Sequence, residues 1–231
     1  RIRKYCWVWW LTPVIPELWE AAGSEEISSS ELVLVTTREA DLTALKDVKL
    51  ELSNGNVVVN EKMQSSMKNV YAPGDSNGIN LLAHSAFKMG DIVASEIVEG
   101  KSDKYNNNII PRAIYTYPEI GSVGLTEEDA KKLYDVKVGK FNYGANGRAL
   151  AHGDSSGMVK IISDARYGEI LGAHIVGPRA SELINEVSVL MQSEITVEEA
   201  IKMVFGHPTF SEAIYEAIAD VEGVSVHLPR K

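Results

Sequence analysis

The sequence predicts an α+β fold, an antiparallel sheet with helices on one face, carried by the second half of the chain. Three observations predict it. Strand-like apolar runs recur at 113–116, 120–125, 136–143, 158–163 and 170–176, with only short turns and one short helix between them. Helical patterns then follow without further strands, at 181–192, 197–204 and 211–219. Strands first and helices after is the order of a sheet that buries one face under a helical layer, not the alternating order of a parallel sheet. A polar, turn-prone run, residues 101–108 (KSDKYNNN), separates this block from what precedes it and marks a domain boundary.

Residues 1–30 fit no element. Arg1 to Lys4 and the apolar run holding Trp7, Trp9 and Trp10 imitate a signal peptide. The run is short, is broken by Pro13 and Pro16, and lacks a small-residue cleavage site. Residues 11–21 resemble the conceptual translation of an interspersed genomic repeat, so 1–30 is read as non-native and is assigned no function, Cys6 included. Residues 31–35 (ELVLV) are a strand-type run. Asn54-Gly55 between 48–52 and 57–59 signals a hairpin. Residues 67–75 read as a short strand ending in Gly74-Asp75. Residues 80–99 form an amphipathic helix with Leu81, Ala86, Met89, Val93 and Ile97 on one face, stopped by Gly100. In the second block, Thr126 with Asp129 caps a helix over 127–133, residues 164–169 connect a hairpin, and Thr196 with Glu199 caps the helix at 197–204.

At 231 residues the chain has room for one large domain or two small ones. Its net charge of −9, from 23 basic and 32 acidic residues, argues against nucleic acid and against an anionic membrane surface as partners. No apolar run reaches the length of a membrane span. The single cysteine, Cys6, can close no internal disulfide, which makes the cytoplasm the expected compartment. A dithiol–disulfide centre needs two cysteines, and the chain does not carry a pair. No metal site is expected.

Two short stretches carry chemistry. In residues 206–212 (GHPTFSE), His207 and Glu212 stand at the mouth of the last helix with Pro208 fixing the backbone between them. A histidine oriented by a carboxylate is the usual general acid/base arrangement near neutral pH. The competing reading is a capping box, Thr209-x-x-Glu212, in which Glu212 only satisfies an orphan N–H at the helix start. In Gly74-Asp75, glycine lets the backbone approach a ligand and aspartate accepts hydrogen bonds from sugar or polyol hydroxyls. An ordinary Gly-Asp turn has the same sequence.

His207-Pro-Thr-x-Ser-Glu212 resembles the active-site signature of the flavin-dependent disulfide reductases, and among them it is most similar to dihydrolipoamide dehydrogenases. The resemblance runs from about residue 31 to 231. Val70-Tyr-Ala-x-Gly74-Asp75 is similar to the family's second FAD motif, with Pro73 where an aliphatic residue is more usual. The segments 111–126, 146–149 (NGRA) and 172–177 (GAHIVG) resemble its interface domain, in which Tyr117-Pro118 is read as a turn and His174 as packing at a strand end. The resemblance implies that His207 is the base that deprotonates a thiol, Glu212 its orienter, and the His207-Pro208 bond cis. It also implies that Asp75 holds the ribityl chain of FAD, with Gly74 letting the backbone approach the cofactor, and that Leu82, Ala83 and His84 face the flavin from a helix N-terminus, where free N–H groups suit an electron-rich ring edge. His84 read alone is equally a surface histidine. Residues 31–100 are then a partial FAD/NAD-binding region, with Thr37 in place of a glycine and Arg38 as in the family, and 109–231 is the interface domain of a homodimer. The family's Gly-x-Gly-x-x-Gly loops and redox cysteine pair do not occur in the sequence. The chain is therefore expected to be the C-terminal half of such an enzyme, using FAD and NAD on a lipoyl-type substrate, and to be inactive alone. The alternatives are a non-catalytic dimerisation module and a glutathione reductase-like parent, which shares His-Pro-Thr and the glutamate.

Overall fold

The computed structural model describes residues 39–228. The strand expected at 31–35, Thr37, Arg38, Cys6 and the tryptophan run lie outside them. The described residues form two compact units that divide between Asn107 and Asn108.

In the unit ending at Asn107, β1 (Leu52–Ser53) pairs antiparallel with β2 (Asn56–Val57). Asn54 and Gly55 between them take positive φ of 50° and 81°, as a two-residue hairpin of the strand twist requires. The strand expected before Gly74 reduces to one isolated bridge, Gln64 to Tyr71. A 3-10 turn, Gly74–Asn77, leads towards α1 (Ala83–Glu99), which Gly100 ends in the left-handed region. The helix starts at Ala83 rather than at residue 80. Leu82 is extended, and buried Asn80 donates instead to Asn107 Oδ1 at 3.0 Å. The buried stripe of α1 is Ser85, Met89 and Ile92, while Ile97 is 63% exposed, so the face is rotated from the apolar pattern. Ser85 is buried because its hydroxyl pairs with that of Tyr105 at 2.6 Å.

The unit starting at Asn108 is built on an antiparallel sheet of β3 (Arg112–Ile114), β4 (Ile120–Gly124), β5 (Val136–Asn142), β6 (Met158–Asp164) and β7 (Ile170–Val176) in the order β3-β4-β7-β6-β5. Its helices are α2 (Glu127–Leu133), α3 (Gly147–His152), α4 (Ala180–Gln192), α5 (Val197–Ile201) and α6 (Glu212–Val221). On one sheet face, α4 lies over β4 and β7, and α6 over β5 and β6. Val159, Ile161, Ala173 and Ile175 there meet Ile184, Val187, Ile214 and Ile218 in the main core. On the other face Ala130 of α2 covers Ile162 and Leu171, so β6 and β7 are buried along their whole lengths. The expected caps form: Thr126 Oγ1 accepts from Asp129 N, and Thr196 and Glu199 make a complete capping box. Helix α5 stops at Ile201, short of residue 204, because Lys202 N and Met203 N turn back to Glu199 O and Ala200 O in a tightened last turn. Gly139 lets β5 approach α6 closely, since a Cβ there would overlap the Ala217 carbonyl and the Val221 backbone.

Candidate active site

His207 and Glu212 meet. The loop before α6 brings His207 Nδ1 to 2.8 Å from Glu212 Oε1, while Glu212 Oε2 accepts the Thr209 amide, also at 2.8 Å. One carboxylate thus carries the contacts that both readings require, with one oxygen securing the turn and the other facing the imidazole. The box is not reciprocal. Thr209 Oγ1 donates to Gly206 O at 2.7 Å, and no side chain caps α6. The His207-Pro208 bond is cis, as is Tyr117-Pro118. With Nδ1–H committed to the carboxylate, the lone pair of the ring is on Nε2. The His207 side chain is 73% exposed and that of Glu212 20%. An exposed imidazole oriented by a carboxylate can take a proton on Nε2 from a group that approaches from solvent.

The loop is held from behind. Phe210 is buried against the edges of Tyr143 and His152, with the Arg179 guanidinium over its ring at 5.9 Å. Ser211 Oγ donates to Glu186 Oε1 at 2.7 Å. Asn146, also buried, donates to Thr209 O at 3.1 Å.

In the other unit, Gly74, Asp75, Leu82, Ala83 and His84 gather at the start of α1. Gly74 has φ 74°, and a Cβ on it would press on Ala86, so the close approach this glycine permits is to the helix. Its amide points at Met89 Sδ at 3.1 Å. The Asp75 turn therefore lies against the first turns of α1, whose N-terminus has no side-chain cap. Ala83 and His84 are exposed, and Leu82 and Asp75 half-buried.

A family model described as the pyridine nucleotide-disulphide oxidoreductase dimerisation domain matches residues 110–218. A second, described as pyridine nucleotide-disulphide oxidoreductase, matches residues 19–90. The chain belongs to the pyridine nucleotide-disulphide oxidoreductase family. Among curated relatives it is 37% identical over 214 residues to a dihydrolipoyl dehydrogenase of Bacillus subtilis, covering 91% of this chain and 46% of that protein. It is 37% identical over 220 residues to the dihydrolipoyl dehydrogenase of Thermus scotoductus, covering 93% and 47%. Among solved structures, LpdA from Mycobacterium tuberculosis matches with a TM-score of 0.72 at 27% identity, over 77% of this chain and 39% of that one. The HOCl-induced flavoprotein disulfide reductase RclA from Escherichia coli, as its Cu(II) complex, matches with a TM-score of 0.73 at 25% identity, over 81% and 44%. The chain thus spans about half the length of the curated relatives it matches.

The oxidoreductase match begins at residue 19, twelve residues before the resemblance read from about residue 31. Two features of this unit stand outside the sequence reading. Asn146 had a readable signal, an N-cap residue ahead of Arg148-Ala149-Leu150-Ala151 with Gly153 as a stop. The second is another histidine–carboxylate pair on α6. Glu216, 3% exposed, accepts from His227 Nδ1 at 2.7 Å, from Ser225 Oγ, and from the amides of Val226 and His227 at 3.0 and 3.2 Å. Burial alone would raise the Glu216 carboxyl, and the hydrogen bonds from Ser225 and His227 bring it below its usual range. That pairing joins α6 to residues beyond its end, which spacing does not reveal. Among the described residues no cluster of metal ligands forms, and no helix is long and apolar enough to cross a membrane.

Proposed function

We propose that this chain is the C-terminal portion of a dihydrolipoyl dehydrogenase, a FAD-dependent enzyme that oxidises a dihydrolipoyl dithiol with NAD. The observation that carries the proposal is the 2.8 Å contact between His207 Nδ1 and Glu212 Oε1, with the other ring nitrogen left to act. His207 Nε2 takes the proton of a substrate thiol. Glu212, fixed through Thr209 N, keeps the ring in the tautomer that can do so and stabilises the imidazolium that results. Bound FAD supplies the two-electron path from the dithiol to NAD. For that group, Asp75 would offer acceptor oxygens to the ribityl hydroxyls, and the start of α1 at Leu82, Ala83 and His84, which no side chain caps, would offer a positive dipole end. Gly74 allows the two to lie side by side. The likeness to proteins named dihydrolipoyl dehydrogenase favours a lipoyl substrate over glutathione. The same reading makes the enzyme a homodimer through residues 109–231, supported by the dimerisation-domain match. The single Cys6 favours the cytoplasm.

The test is a chimera joining residues 39–231 to the preceding half of the Bacillus subtilis dihydrolipoyl dehydrogenase, assayed for lipoamide-dependent NADH oxidation. The proposal expects turnover in the flavin-loaded chimera, and His207→Gln should lower kcat by about 10²–10⁴-fold with flavin content unchanged. A flavin-loaded, folded chimera whose rate is indifferent to His207→Gln refutes it.

A further inference from the structure

We infer that Asn146 is a positioning residue for the His207–Glu212 pair, holding it through the backbone of Thr209. This deepens the reading of that pair as a thiol base and rests on it for its functional meaning. Asn146 is 3% exposed and uses both ends of its amide. Oδ1 accepts the Ala149 amide at 2.9 Å and so caps α3, and Nδ2 donates to Thr209 O at 3.1 Å, across 63 residues of sequence. The two ends do different work. The cap is local and serves a helix of one and a half turns. The donor end reaches the peptide two residues after His207.

Thr209 then has each of its polar groups fixed to a different partner. Its carbonyl is held by Asn146, its hydroxyl donates to Gly206 O, and its amide donates to Glu212 Oε2. The last bond orients the carboxylate whose other oxygen faces His207. The neighbouring ties fall on Phe210 and Ser211, and act on a ring and a hydroxyl rather than on the backbone that bears Glu212's partner. Asn146 is thus the side chain that fixes the Thr209–Phe210 peptide, and only the Thr209 Cα separates it from the Pro208–Thr209 peptide whose N–H meets Glu212. If its donor is lost, Thr209 O loses the bond from Asn146, and the loop can turn until water satisfies it. The Thr209 amide then moves off Glu212.

The two functions of the amide separate by substitution. Serine is a good N-cap and can accept from Ala149 N, but its hydroxyl is too short to reach Thr209 O as well. Aspartate caps equally well and, when ionised, has no donor. In the full chain, amide exchange followed residue by residue should show Ala149 N–H still protected in Asn146→Ser, and Thr209 N–H exchanging about tenfold faster, the size of one lost hydrogen bond. The ¹⁵N signal of His207 Nδ1 should move with it, as the bond to Glu212 loosens. Asn146→Asp should repeat both results, so that a fold defect in one variant does not decide the question. A residue that only capped α3 would alter Ala149 and leave Thr209 and His207 unmoved. Unchanged Thr209 exchange and an unchanged His207 signal in either folded variant would overturn the inference. The measurement reads positioning without turnover, so it stands apart from the chimera assay of the base itself.

Discussion

Lowering the pH from 7 to 5 should destabilise the sheet unit, and His174 is the reason. It sits in the middle of β7, 4% exposed, opposite Ser122 of β4 and Lys160 of β6 in the sheet register. Its Nε2–H donates to Leu125 O at 3.1 Å, and its Nδ1 has no partner among the described residues. Burial pushes the imidazole down to about 4 from an ordinary 6.5. The Lys160 ammonium pushes in the same direction, the Leu125 carbonyl and Glu127 in the other. A base whose folded value lies below its unfolded one is protonated preferentially in the unfolded chain. Stability is therefore complete above pH 6.5 and is lost as pH falls through the window from 6.5 to 4. At 1.36 kcal/mol per pH unit of difference, about 2 kcal/mol goes by pH 5 and about 3 by pH 4. Glu127 does not confuse this window. Burial pushes its carboxyl up, the hydrogen bonds from Lys131 and Lys160 overcome that and bring it to about 2, and its contribution is lost only as pH falls below 4.5. The assay is urea unfolding of the wild type and of His174→Gln at pH 7 and pH 5. Glutamine keeps a donor for Leu125 O and does not titrate. The wild type should lose about 2 kcal/mol more than the variant between the two pH values. Parallel losses in both proteins would refute the account, and the acid sensitivity would then belong to other groups.

Two further outcomes follow from the same structure. Gly139→Ala forces a methyl into the Ala217 carbonyl and the Val221 backbone, so β5 and α6 must separate; a loss of about 3 kcal/mol in urea unfolding is expected, and one within ~0.5 kcal/mol would show that the strand and helix can shift freely. Glu216→Gln offers one acceptor oxygen where a buried carboxylate serves Ser225, Val226 and His227, so residues 225–227 should detach, with faster limited proteolysis there and about 1–3 kcal/mol lost locally; unchanged cleavage in a folded variant would contradict this.

How far the sequence could be read depended on the range of the interactions involved. Strand β7, helix α2 with its Thr126 cap, and the Thr196–Glu199 box stand where local pattern puts them, because each is decided by residues within four positions of one another. Where a distant partner decides, pattern fails. Ser85 is buried on α1 in place of an apolar neighbour because Tyr105 supplies a hydroxyl from 20 residues away, and the helix begins at Ala83 because Asn80 is engaged by Asn107. The His207–Glu212 contact was legible as a pair of competing readings, since five residues of spacing allow both a cap and a base. The supports of that pair were not. Asn146, Glu186 and Tyr143 reach the loop from 25 to 67 residues away, by hydrogen bonds and a ring contact that leave no periodic trace.

The carboxylate of Glu212 also limits what evolution or an engineer can place there. Its two partners, the Thr209 amide and His207 Nδ1–H, are both donors. Glutamine would turn an NH₂ group toward one of them, and aspartate is a methylene too short to span both. Helix entry and the orientation of the imidazole therefore draw on a single functional group. A stability screen would score position 212 as architectural and an activity screen would score it as chemical. The two scores would not be independent, because no substitution separates the shape of the loop from the orientation of the imidazole.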